Sequence, residues 1–281
     1  MPEPSATYSP RSYAGPGTRL RVRGSWRADL QRHSDLAVAL LLREIKAQYR
    51  RSTIGIGWIL LQPLCYILIF TGVRQILNIP SDGIPYILFT IVGLVPWMFF
   101  ANTVIRITSC ILVNAEILKK SDVPRELFPA VTAAAGVVEL AFTSVLVASL
   151  MLWFRTPVGL PLLLLPVILL MMTAFALGLG LWLAAINTYR SDISLAIPYA
   201  MQMWMLASPI FYPISQIPER WQMLYALNPM VGLIEGLRDV LLRNTLPNFG
   251  WLGISALAIA VIWATGLPFY RRMSNYFADV L

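Results

Sequence analysis

The residues able to do chemistry in this 281-residue chain are few and widely spaced. A single carboxylate, Glu139, stands in the middle of the apolar run 128–152. A charge at that depth is costly, so it must face a bundle interior, a polar cavity or a partner. Two readings stay open for it: contact with a substrate or a dimer interface, or a protonated carboxyl bonded to a neighbouring helix. Arg106, near the end of the preceding apolar run, is placed to snorkel toward the headgroups. Aromatic residues gather near the ends of three apolar runs, among them Trp58, Tyr66, Phe70, Trp204, Phe211 and Tyr212. Most such residues belong to interfacial belts. The same faces also suit a glycan channel, because axial C–H groups of a sugar pack on a ring while the edge hydroxyls stay wet. No nucleophile–base pair, paired carboxylates or His/Cys ligand spacing emerges; His33 is the one histidine, and Cys65 and Cys110 are the two cysteines. No catalytic residue and no metal site is expected. There is no Gly-Lys-Ser or Gly-Lys-Thr phosphate loop either, so any ATP must be bound by another chain.

Composition fixes the setting of these residues. The chain is 57% hydrophobic and 13% charged, against about 25% charged in a soluble domain. That excludes a water-soluble globule and a disordered chain, and leaves a polytopic membrane protein. A spanning helix needs about 20 apolar residues. Six candidates satisfy this, at about 54–76, 84–107, 128–152, 160–187, 194–214 and 249–269, which predicts an all-α fold of six transmembrane helices. The even count puts both termini on one side. The net charge of +8 then reads as a topology signal. With both termini cytoplasmic, only Arg74, Arg155, Arg220, Arg238 and Arg243 of the 22 Lys and Arg face outward, as the positive-inside rule requires. Residues 1–34 carry Pro, Ser, Gly and arginines without an apolar core. They read as a disordered basic cytoplasmic tail rather than a signal peptide, ahead of a membrane domain covering 35–281.

Three further segments are too polar or too short to span. In 36–51, Val38, Leu41, Leu42, Ile45 and Tyr49 form one stripe with Arg43, Lys46, Arg50 and Arg51 largely off it, the pattern of an amphipathic interfacial helix. The cytoplasmic connection 113–129 holds a short helix-forming piece, 115–120, ended by Asp122 and Pro124. It is either a lever-like contact for a soluble partner or an ordinary solvated loop. The external connection 215–247 is apolar, with two short helical patterns, 219–227 and 230–243, broken at Asn228-Pro229. It reads as a re-entrant helical hairpin at a pathway mouth, bearing Trp221, Asn228, Pro229, Glu235 and Arg238, or as an interfacial anchor. In the fourth run Ala174, Ala176, Gly178 and Gly180 permit close helix packing. Pro198, Pro209 and Pro213 predict bends in the fifth.

Three stretches together resemble one family. LLREIKAQYRRSTIGIGWILLQPL (41–64), through Tyr49, Arg50, Ser52, Gly55, Trp58 and Pro63, is similar to the start of ABC-2 type permeases that export polysaccharides. SPIFYPISQIPERWQMLYALNPMVGLIEGLRDVLL (208–242) resembles the external re-entrant region of that family. FYRRMSNYFADVL (269–281) is similar to the tail of its O-antigen and related lipopolysaccharide exporters. The resemblance covers about residues 36–281; the preceding tail is longer and richer in Arg than the family pattern. It implies a homodimer in a bacterial inner membrane, with two cytoplasmic ABC ATPase subunits that bind ATP and Mg, no cofactor in this chain and no nucleic acid. The ATPases would dock on the interfacial helix and the 113–129 loop, through Glu116, Leu118, Lys119, Lys120, Asp122, Pro124 and Arg125. The substrate would be a polyprenyl-diphosphate-linked glycan, whose headgroup Arg43, Lys46, Tyr49, Arg50 and Arg51 would meet at a cytoplasmic entrance beside membrane lipids. Export of teichoic acid, capsule or drug-like molecules is the alternative within transport. A membrane enzyme acting on polyprenyl lipids is the alternative outside it.

Overall fold

The computed structural model describes residues 26–49, 55, 57–78, 80–120 and 123–277; the side chains of 26–33, 48, 49 and 120 fall outside that description. Arg50, Arg51, Ser52 and Asp122, the side chains of Tyr49 and Lys120, and residues 1–25 of the tail therefore lie outside the described residues. The chain divides into two units, Met1–Leu36 and Ala37–Leu281. The first contains the opening turns of a helix, α1 (Trp26–Tyr49), which begins earlier than the expected interfacial helix. Everything below concerns the second.

The described residues form helices and no strands: α2 (Gly57–Leu77), α3 (Tyr86–Val113), α4 (Ala115–Lys120), α5 (Leu127–Trp153), α6 (Leu165–Tyr189), α7 (Asp192–Leu206), α8 (Glu219–Ala226), α9 (Pro229–Arg238) and α10 (Phe249–Ser274). Five are long and apolar enough to cross a bilayer: α2, α3, α5, α6 with the turn that precedes it from Leu160, and α10. They coincide with the first four predicted spans and the sixth. The fifth differs. Its helix α7 has 15 residues, about 22 Å at 1.5 Å per residue, short of the ~30 Å hydrocarbon core. The prolines explain the stop. Pro209 and Pro213 lack the amide that a continuing helix would use, and from Ala207 the chain runs on through turns, with the Ile210 amide donating to the Ser208 carbonyl at 2.7 Å.

α3 is the axis of the bundle. Inside the protein lies 83% of its spanning window, against 11% for α2 and 28% for α5 and α6. α5, α6, α9, α7 and α2 pack against it, α10 stands outside against α6 and α9, and the long helices leave apolar faces outward, as a membrane solvent requires. Small residues set the spacing. Gly180 of α6 abuts Ile107 of α3, and Gly178 abuts Trp263 of α10, whose indole donates to the Ala174 carbonyl at 2.8 Å.

The connections sort onto two ends. At one, Arg43 of α1 donates to Asn114, Thr132 of α5 donates to Glu44 at 3.1 Å, and the Tyr270 hydroxyl donates to the Arg125 carbonyl at 2.9 Å. This end carries α4 and the last turns of α10. At the other, Ser215 donates to Asp82 at 3.1 Å and Tyr86 donates to the Phe211 carbonyl at 3.1 Å. This hairpin end carries the 78–85 and 154–164 connections and α8–α9. Arg74, Arg155, Arg220, Arg238 and Arg243, the five basic residues that charge sorting groups together, all belong to it.

Candidate functional site

The hairpin end is built around a helix buried on every side. All ten residues of α9 are buried, so its polar side chains must find partners within the protein. Asn228 starts the helix, accepting from the Met230 amide at 3.1 Å, with Pro229 in the first turn where a missing amide costs nothing. The same Asn228 accepts from the Trp204 indole at 3.0 Å and donates to Ser208 at 3.0 Å. Trp204 in turn meets Trp97 at 5.9 Å between centroids, which lies roughly 16 Å along α3 from its first residue. The start of α9 is thus sunk deep between the long helices. Gly232 permits this, because a Cβ there would come within 2.6 Å of the Trp251 carbonyl oxygen of α10.

Arg238 is the chief polar group of α9 and is fully buried. Its guanidinium donates to Glu235 at 2.7 Å, to the Ile210 carbonyl at 2.9 Å and to the Phe89 carbonyl at 3.3 Å, and lies 3.6 Å from the Phe89 ring centroid. A planar, multiply donating cation suits such a site where an ammonium would not. Gly93 leaves room for it: a Cβ there would sit 3.0 Å from Nη2. One turn on, the chain forms a π-helical turn (Asp239–Arg243) closed by Asn244 in the left-handed conformation. Arg243 there donates to Glu235 at 2.9 Å and to Asp239 at 2.7 Å, and stands 3.6 Å from Asp82. Burial pushes the Asp239 carboxyl above the usual range, against the pull of Arg243. A chain of charges therefore ties α9 to the irregular segment after α7, to α3 and to the α2–α3 connection. Sequence reading selected Glu235 and Arg238 as residues of an external hairpin. It missed their burial and missed Arg243 and Asp82 as partners. The spacing of Glu235 and Arg238 by three, one helical turn, was the available signal. Trp221, by contrast, is half exposed on α8.

Glu139 of α5 meets Arg106 of α3 in an ion pair. Arg106, expected to snorkel, points instead to the carboxylate of the facing helix. Glu44 of α1 stands nearby; burial pushes its carboxyl above the usual range, opposed by the Thr132 hydrogen bond and by Arg106 and Arg43. Glu139 also borders a small, mostly apolar cavity, whose other polar lining residues are Gln62, Asn102 and Thr143.

The six aromatic candidates do not share one surface. Phe211 is buried and stacked on Phe70, which is also stacked with Tyr66. Trp204 is edge-on to Phe100 and Phe175 in the core. The Tyr212 hydroxyl bonds that of Tyr225 of α8 at 2.7 Å. Of the six, only Trp58 is exposed, at 50%.

At the opposite end, α4 covers the expected helical piece. Glu116, Lys119 and Pro124 are exposed; Leu118 and Arg125 are half-buried. The segment after α4 is fastened to α10 through Tyr270 and through Arg271, which pairs with Glu126 at 3.3 Å. Arg43 and Lys46 are both exposed on α1. Among the described residues, no group of three or more His, Cys, Asp or Glu side chains is arranged to hold a metal ion.

A bundle with apolar faces outward around one shielded helix, with a short helix at one end and a charge-locked hairpin at the other, defines a polytopic membrane protein. Residues 36–242 match the family model described as ABC-2 type transporter, and the chain belongs to that family. It is similar to an O-antigen export system permease protein (RfbA) of Myxococcus xanthus, 30% identical over 256 residues, which cover 88% of this chain and 96% of that one. It is also similar to the polysialic acid transport protein KpsM of Escherichia coli, 23% identical, covering 83% of this chain and 91% of that one. The capsule polysaccharide export inner-membrane protein CtrC of Neisseria meningitidis is 24% identical, with 84% and 90% covered.

Proposed function

We propose that this chain is the permease subunit of an ATP-driven exporter that moves a polyprenyl-diphosphate-linked polysaccharide across the bacterial inner membrane. It works as a homodimer with two cytoplasmic ATPase subunits. The observation that carries the reading is the reach of the relationship, which takes in 96% of an O-antigen export permease. Capsule and polysialic acid transport proteins among the relatives favour a glycan over a drug-like substrate.

In this reading the α4 end is cytoplasmic. The chain crosses six times, by α2, α3, α5, α6, α7 with 207–214, and α10. The fifth crossing is helical only in part, which hydrocarbon tolerates where the irregular backbone is buried in protein; the Ile210 carbonyl, held by Arg238, meets that condition. α8 and α9 form the re-entrant hairpin. The ATPase acts on α4 and on the adjoining Pro124 and Arg125, and Tyr270 and Arg271 pass the displacement to α10. Arg43 and Lys46, with Tyr49, Arg50 and Arg51, attract the diphosphate at the cytoplasmic entrance. Glu139, engaged by Arg106, serves helix packing rather than catalysis. The conduit forms between two copies. Trp58 of α2 and the exposed face of α7, with Tyr199 and Gln202, are available to line it.

The test is reconstitution with the partner ATPase in vesicles. Lipid-linked glycan should stimulate ATP hydrolysis and appear on the far side. Normal hydrolysis after deletion of 115–120 would refute the coupling role. Cytoplasmic labelling of a cysteine introduced at position 80 would refute the orientation.

A further inference from the structure

A second feature lies away from the proposed conduit and owes nothing to the export reading. Between α3, α5, the start of α6 and the α9–π-turn segment runs an apolar cavity of about 590 Å³, within the range of ordinary ligand sites. Leu140, Val147, Met151, Leu165, Leu237 and Leu241 wall it, and its only polar lining residues are Ser144, Arg155 and Thr156. Ser144 spends its hydroxyl on the Leu140 carbonyl. The polar character is therefore confined to one end, where Arg155 and Thr156 follow the last turn of α5.

We infer that this cavity is a binding site for an anionic phospholipid of the leaflet at the hairpin end, with an acyl chain in the groove and the phosphate at Arg155. Three observations converge. The first is length: from Leu140 to Leu152 the α5 wall of the groove extends roughly 18 Å at 1.5 Å per residue, close to one leaflet of a ~30 Å core. The second is level. Trp153, 81% exposed, and Phe154 directly precede Arg155, the arrangement of an interfacial belt at headgroup depth. The third is the arginine itself. The end of α5 closes with the Thr156 amide donating to the Met151 carbonyl at 2.9 Å, which sets Arg155 at φ 52°, a conformation that favours glycine. An arginine stands there, exposed, and among the described residues it forms no ion pair. A cation at the headgroup level over an apolar slot one leaflet deep fits a phosphodiester and its chain. Leu237 and Leu241, on the groove wall, flank Arg238 on the hairpin, so a seated lipid braces the charge network from behind.

The experiment is native mass spectrometry of the full-length chain released from nanodiscs of phosphatidylglycerol, of phosphatidylcholine, or of an equimolar mixture of the two. One phosphatidylglycerol per chain should be retained in preference to phosphatidylcholine. Arg155→Gln should lower that occupancy about fivefold, the effect of one basic residue at an anionic surface. Ala148→Trp, which fills the groove, should abolish it, with helical content checked by circular dichroism. Arg220→Gln, an exposed arginine at the same end, should leave it unchanged. Equal retention of the two lipids, an equal loss with Arg220→Gln, or full occupancy in Arg155→Gln would overturn the site. Displacement of phosphatidylglycerol by polyprenyl phosphate at equal mole fraction would overturn its assignment to a phospholipid.

Discussion

Replacing Arg238 by Met is the sharpest test of the hairpin architecture. The side chain is fully buried, and Met follows its path with no donor. Stripping one partner from a buried ion pair costs about 3–5 kcal/mol. Glu235 keeps Arg243 at 2.9 Å, so the lower end, about 3 kcal/mol, applies. The Phe89 carbonyl lies within α3, where the helix supplies a donor, but the Ile210 carbonyl loses its guanidinium at 2.9 Å. An orphaned buried carbonyl adds about 1 kcal/mol. The sum, about 4 kcal/mol, lowers the melting temperature by roughly 7 °C, since an unfolding entropy of about 2.1 cal/mol/K per residue over 281 residues gives about 1.7 °C per kcal/mol. The protein carries its own reporter. Cys65 is exposed and Cys110 is buried, so in a Cys65→Ser background a thiol-reactive fluorophore reports unfolding through Cys110 alone. Combining Arg238→Met with Glu235→Leu should recover part of the loss, because the buried carboxylate that has lost one of its two cations is then gone while Arg243 keeps Asp239 at 2.7 Å. If Arg238→Met melted within 2 °C of the parent, or if the double variant were the sum of its parts, the charges would not act as a network and the reasoning would fail.

Two further substitutions probe the packing that positions this network. Gly232→Ala should destabilise the α9–α10 contact by about 1–3 kcal/mol, the range for overpacking, because the Trp251 backbone cannot yield; a melt equal to the parent's would mean that α9 sits further from α10. Glu139→Gln should lower stability by about 1–3 kcal/mol by removing the anion beside Arg106, and Arg106→Gln/Glu139→Gln should be more stable than Arg106→Gln alone. Additivity in that double-mutant cycle would argue against the pair.

The long helices were legible because hydrophobic length survives any tertiary arrangement; five predicted runs and the α4 piece coincide with observed helices. The hairpin's two helical patterns were equally local, broken where Asn228 caps α9. What local pattern did not carry was the depth of each polar group. Arg238 and Glu235 look external by hydropathy, yet the partners of Arg238 include main-chain carbonyls 28 and 149 residues away, and carbonyls leave no trace in side-chain type. Trp204 and Phe211 looked like interfacial aromatics for the same reason. Their rings face Trp97, Phe175 and Phe70, residues that no spacing rule connects to them. Arg106 was judged against lipid because its partner belongs to another helix.

The Arg106–Glu139 pair also imposes an order of assembly. The two residues are 33 positions apart, so α3 is delivered to the bilayer before its counter-charge has been synthesised. At roughly 5–20 residues per second, a few seconds of elongation separate them, during which Arg106, in the last third of α3, faces less than the about 2.5–3.5 kcal/mol of an arginine at a helix centre. Its place near the α4 end lets that helix wait at the interface. Glu139→Gln should therefore also lower the amount of protein recovered from the membrane, beside the stability loss in the fraction that folds.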